Sequence, residues 1–165
     1  MKRLILIRHA KSSWKDSELD DHERPLNKRG DRDRLTLARY LADTDLSVEV
    51  IYSSTAVRAL ELAQTISDFT QISLVPDLSF YTFDPDQLLQ IIQSLPEEAS
   101  SVCVVGHNPA ITQLSNSLCS TELLNVPTSG VVTMTFELDS WHEVEAGLAE
   151  FEGLVSPKII EKMEG

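Results

Sequence analysis

The sequence predicts an α/β domain in which a mainly parallel sheet carries helices on both faces. Three observations point there. Short apolar runs bounded by charge or turn residues recur along the chain, at 3–7, 48–52, 72–75 and 101–105. Between them lie segments with apolar residues at helical spacing. No internal repeat, linker or low-complexity stretch breaks the alternation. Strands that alternate with helices need crossover connections, which run the strands parallel and cover the sheet. The 165 residues suit one domain, 1–165.

Residues 3–7 form the first strand, ending at Arg8. Residues 11–26 are polar, with Trp14 and Pro25, and read as a loop. A helix follows from Asn27 to Ala42, with Leu35, Ala38 and Leu41 on one face and Gly30 as a weak point near its start. After the strand at 48–52, Thr55 is a candidate cap for a helix reaching Phe69. Residues 72–75 are a short strand, and 84–95 form a helix with Leu88, Leu89, Ile91 and Ile92. The strand at 101–105 leads to Asn108-Pro109, read as a helix cap followed by a first-turn proline. Residues 131–138 and 148–155 complete the sheet.

No apolar run is long enough to span a membrane, and the run at 4–7 is too short for the core of a signal peptide. Cys103 and Cys119 lack metal-ligand spacing and read as buried thiols in a reducing cytoplasm. A net charge of −12 argues against non-specific nucleic-acid binding. The charge is unevenly spread. Eleven of the fourteen Lys and Arg residues lie within 2–39, and none lies between Arg58 and Lys158. Cations for an anionic ligand must therefore come from the N-terminal third and Arg58.

In sheets of this kind, ligands bind beyond the carboxyl ends of the strands. Three segments occupy such positions: Arg8-His9, Ser53 to Arg58, and Gly106-His107-Asn108-Pro109. Together they supply two arginines and two histidines. Two guanidiniums suit a phosphoryl dianion, bound through charge-assisted hydrogen bonds. A neutral imidazole beside them is a competent nucleophile, and nearby arginines favour its neutral form. Singly, Arg8-His9 is a weak signal, Arg58 reads equally as a solvated helix residue, and Gly106 to Pro109 as a turn. Their joint placement points to one anion site. His22 sits in an acidic loop, at the mouth of the site or simply on the surface, and His142 has no partner nearby in sequence. No paired spacing suggests a metal, and no nucleophile elbow surrounds Ser12 or Ser13.

Four segments in order, Leu4 to Ser12, Asp21 to Gly30, Ile51 to Ala59 and Val104 to Pro109, resemble the histidine phosphatase superfamily. That superfamily includes phosphoglycerate mutases and acid phosphatases. The similarity is strongest to its small branch, the SixA-type phosphohistidine phosphatases. The resemblance implies a phosphoglycerate mutase-like three-layer α/β/α sandwich. It implies that His9 takes the phosphoryl group and that Arg8, Arg58 and His107 line the phosphate pocket. It also implies hydrolysis by water without metal or cofactor. The partner it implies is a phosphorylated protein, such as a histidine-phosphotransfer protein; the sequence does not establish the oligomeric state, for which a monomer is the favoured expectation.

One departure bears on the substrate. Mutase-like members carry a glutamate proton donor shortly after the third strand, where this chain has none between Asp77 and Asp84. Acid phosphatases place an aspartate after the second histidine, where this chain has Asn108. An alkoxide leaving group needs such an acid, and an imidazole needs it less. The absence favours a phosphohistidine substrate. Asp16, Asp21 and Asp84 are the remaining candidate acids, each of which also reads as a loop carboxylate or, for Asp84, a helix cap. A small-molecule phosphomonoesterase or phosphosugar mutase-like enzyme is the alternative expectation, and a non-catalytic phosphate-binding module is another.

Overall fold

Residues 4–7 are apolar at every position because both faces of their strand are covered. Leu4 and Leu6 enter one buried cluster, and Ile5 and Ile7 enter the other. Each such side chain stabilises by about 2 kcal/mol, so the strand leading to Arg8-His9 is firmly anchored. Val102 and Val104 divide from Cys103 and Val105 in the same way.

The structure is a computed structural model and describes residues 1–164. Its strands are β1 (Lys2–Arg8), β2 (Val50–Ser53), β3 (Leu74–Pro76), β4 (Ser101–Gly106), β5 (Val131–Phe136) and β6 (Ala149–Val155). They lie in the order β3-β2-β4-β1-β5-β6. Strands β1 to β4 pair in parallel, and β5 runs against both β1 and β6. Helices α1 (Lys28–Asp43), α2 (Val57–Thr70) and α5 (Pro157–Glu164) pack on one face. Helices α3 (Pro85–Gln93) and α4 (Ala110–Cys119) pack on the other. The result is the expected three-layer α/β/α sandwich.

Several local readings need correction. Ala56, not Thr55, is the residue before α2, and the Thr55 hydroxyl instead meets Nε2 of His22 at 2.8 Å. Helix α4 begins at Ala110, one turn position later than read. Asn108 still caps it, because its Oδ1 accepts from the amide and hydroxyl of Thr112 at 3.0 and 2.9 Å. Gly30 is a requirement rather than a weakness, since a Cβ there would collide with the Lys11 carbonyl. Helix α5 was not anticipated. Its anchors, Pro157 and Ile160, make too short a pattern to stand out. Among the described residues, no helix is long and apolar enough to cross a membrane.

Candidate active site

The sheet register sets Arg8 opposite Gly106 and Ser53 opposite Val105. The ends of β1, β2 and β4 are therefore level. From β1 the chain passes to α1 on one face, and from β4 to α4 on the other. Connections that part in this way leave a crevice between the two strand ends. The His9 amide donates to the Gly106 carbonyl at 2.9 Å. The Ser129 amide donates to the carbonyls of Arg8 and His9 at 3.0 and 2.9 Å. His9 is thus held by its backbone from β4 on one side and from the segment leading into β5 on the other.

The crevice brings together Arg8, His9, Arg58 and His107. The rings of His9 and His107 lie 5.3 Å apart. Nδ1 of His9 is 2.7 Å from the Ala10 carbonyl. A carbonyl only accepts, so Nδ1 carries the proton and Nε2 keeps its lone pair. Burial pulls the His9 pKa down to about 4, and the charges of Arg58, Arg8 and Arg24 reinforce it against the bond to Ala10. Burial likewise pulls His107 down to about 3, aided by His9 and Arg58. Both rings are neutral at pH 7.

Three buried nitrogens in this cluster have no hydrogen-bond partner: Nε of Arg8, Nε of Arg58 and Nδ1 of His107. An unsatisfied buried donor costs on the order of 1–3 kcal/mol. Two guanidinium donors and an imidazole nitrogen left without partners around the neutral His9 ring match what a phosphoryl group with its several acceptor oxygens would satisfy. Nη1 of Arg8 is fixed by the Val126 carbonyl at 3.1 Å. Nε2 of His107 meets the Ser54 hydroxyl at 2.8 Å, which sets the direction of its free nitrogen.

The three candidate acids separate. Asp84 caps α3, accepting from the Asp86 amide at 2.9 Å. Asp16 accepts from the Glu18 amide in an exposed turn. Only Asp21 reaches the site, and there its carboxylate is fully engaged. Oδ2 accepts from Arg58 at 2.8 Å and from the Tyr81 hydroxyl at 2.6 Å, and Oδ1 accepts from Arg24 at 2.8 Å. Burial raises its pKa, but the bonds from Tyr81, Arg58 and Arg24 outweigh that and hold the carboxyl well below the usual range. Asp21 is ionised and has no proton to give. It holds the arginine that sits in the first turn of α2, where a cation opposes the helix dipole.

Arg24, Ser54 and Tyr81 had no assigned part in the sequence reading. Arg24 also bonds to the Ser12 hydroxyl and the Ser13 carbonyl, and its guanidinium lies 3.3 Å over the exposed Trp14 ring. Tyr81 stands edge-on to His107 at 5.3 Å and to His22 at 4.9 Å. His22 therefore sits at the mouth of the site. The Asp21/Arg24 spacing was visible in sequence, but nothing there linked either residue to Tyr81. Among the described residues, no group of three or more His, Cys, Asp or Glu side chains is placed to hold a metal ion.

Comparison with known proteins bears on the family and the fold. Residues 4–81 match the histidine phosphatase superfamily (branch 1). An uncharacterized chloroplastic protein of Arabidopsis thaliana is 31% identical over 172 residues, covering 94% of this chain and 78% of that protein. A candidate phosphohistidine phosphatase SixA from Agrobacterium tumefaciens superposes with a TM-score of 0.81 at 25% identity, covering 94% and 98% of the two chains. The protein histidine phosphatase SixA in complex with tungstate shares the fold, with a TM-score of 0.77 at 22% identity and 94% and 97% coverage. With the matched segment 4–81 carrying Arg8, His9 and Arg58, and 94% of the chain following the same fold, this protein belongs to the histidine phosphatase superfamily.

Proposed function

We propose that this phosphatase removes the phosphoryl group from phosphohistidine of a protein, through a phosphohistidine intermediate on His9. The observation that carries the proposal is the His9 ring itself. It is held neutral with Nε2 free, beside three buried nitrogens that lack partners. Arg8, Arg58 and His107 bind the phosphoryl oxygens. With Ser54 donating to Nε2 of His107, the His107 proton sits on Nδ1 and points to the substrate.

In the first step Nε2 of His9 attacks phosphorus, and the P–N bond to the substrate imidazole breaks. The electron pair of that bond returns to the substrate nitrogen. A substrate ring protonated on its other nitrogen leaves as neutral imidazole and needs no further proton. In the second step water attacks phosphorus, the bond to His9 breaks, and the pair returns to Nε2. The proton of the water passes to solvent and phosphate is released. The arginines stabilise charge on the transferring group in both steps. The preference for an N–P bond rests on Asp21, the one of the three candidate acids that reaches the site, which is occupied as an ionised clamp.

The free thiols of Cys103 and Cys119 suit a reducing compartment such as the cytoplasm. The deciding experiment compares wild type and His9→Ala on a phosphohistidine peptide, a phosphoserine peptide and a sugar phosphate. Preferential turnover of phosphohistidine, lost in the variant, is expected. Rapid turnover of the sugar phosphate alone would favour a small-molecule phosphatase instead. Phosphate binding without turnover of any substrate would favour a binding module.

A further inference from the structure

A cavity of about 800 Å³ lies outside the phosphate pocket, between α3 and the segment 77–82. Helix α2 covers one face of β2 and β3, but on the other face this trough stays open. Tyr52 and Phe80 stand in it with rings 5.5 Å apart, Ile91 forms a wall, and Leu78 is 64% exposed on the lip. One end is closed by Tyr81, whose ring is 5.3 Å from that of His107. The other end reaches Leu95 and Pro96, before the start of β4. The trough therefore runs from Tyr81 past Tyr52 of β2 to Pro96. A volume of about 800 Å³ is enough for several side chains of a peptide segment.

Among the residues that line the groove, Asp77 carries a charge and none is cationic. Between Arg58 and Lys158 the chain has no lysine or arginine. Asp77 lies on the lip, and Asp77 and Glu98 both act electrostatically on Tyr52. An acidic segment would be repelled here. A segment combining apolar and cationic side chains would bury the first and pair the second.

We propose that this groove docks a polypeptide segment of the phosphorylated partner, with apolar side chains set among lysines or arginines, while the phosphoryl group enters beyond Tyr81. The proposal rests on the protein-substrate reading above and assigns the recognition element. Tyr81 is the shared wall. Its ring lines the groove and its hydroxyl bonds to Asp21, which holds Arg58.

The test separates docking from chemistry. Fluorescence anisotropy follows binding of two labelled, unphosphorylated peptides, each with one histidine, flanked by Leu and Lys in one and by Leu and Glu in the other. Wild type is expected to bind the Leu–Lys peptide about tenfold more tightly or better. Leu78→Lys should abolish or reverse that preference, and Gln90→Trp, filling the groove, should weaken Leu–Lys binding about tenfold. Both residues lie outside the phosphate pocket, so turnover of the small substrate phosphoramidate should stay unchanged in both variants and report that they are folded. Equal binding of the two peptides, or a preference that both variants retain, would overturn the groove. Failure of wild type to hydrolyse phosphoramidate or a phosphohistidine peptide would count against the hydrolase reading and leave the binding result to decide the groove.

Discussion

Lowering the pH from 8 to 5 perturbs the two buried histidines in opposite ways for activity and for stability. With its pKa drawn down to about 4, His9 keeps its lone pair far below the range in which an ordinary histidine loses it. At pH 5 about 90% of such rings are neutral, against about 3% for a pKa of about 6.5. The neutral ring, and with it the proposed nucleophile, therefore survives mild acid. Stability does not. Below pH 6.5 the unfolded chain binds protons that the folded His9 and His107 refuse. The stability is complete above that pH and falls through the window from 6.5 to about 4 for His9 and to about 3 for His107. Between pH 8 and 5 each histidine accounts for about 2 kcal/mol, about 4 kcal/mol together. Proton NMR of the His9 ring, assigned with His9→Gln, gives the folded pKa, and urea unfolding at the two pH values gives the stability. The His9→Gln variant should lose about half of the pH dependence. A His9 ring that titrates near 6.5 in the folded protein, or a pH dependence untouched by the substitution, would refute the reasoning.

Other substitutions probe the support of the site. Asp21→Asn removes the charge that Arg58, Arg24 and Tyr81 share, and kcat/KM should fall about 10- to 100-fold, by the worth of charged hydrogen bonds. The factor should be equal for phosphoramidate and for an aryl phosphate in steady-state assays, whereas a proton donor would matter more for the poorer leaving group. Ser54→Ala frees Nε2 of His107 and should cost about tenfold in kcat/KM, with the wild-type fold retained by circular dichroism. Gly30→Ala forces a Cβ against the Lys11 carbonyl at the start of α1. It should destabilise the protein by about 1–3 kcal/mol in urea unfolding.

The architecture and the grouping of Arg8, His9, Arg58 and His107 at one set of strand ends were legible in the sequence because both follow local rules. Strand β1 announces itself by four apolar residues stopped by Arg8, and the site residues follow directly where strands end. The supporting contacts were not legible, because they join residues far apart in the chain. The Tyr81 hydroxyl reaches Asp21 across 60 positions, and Arg58 reaches it across 37. Nor could the sequence show that Asp21 is ionised, since that depends on three donors converging in space. The reading of Thr55 as a cap failed for a related reason. Its hydroxyl is taken by His22, a partner 33 residues away.

The central claim is that His9 carries the phosphoryl group between substrate and water. Rapid mixing of the protein with a 32P-labelled phosphohistidine peptide, quenched in alkali, tests it most directly. The account predicts label on the tryptic peptide containing His9, stable to base and labile to acid, and absent from His9→Ala along with turnover. Label on another residue, or turnover by His9→Ala at the wild-type rate, would contradict it.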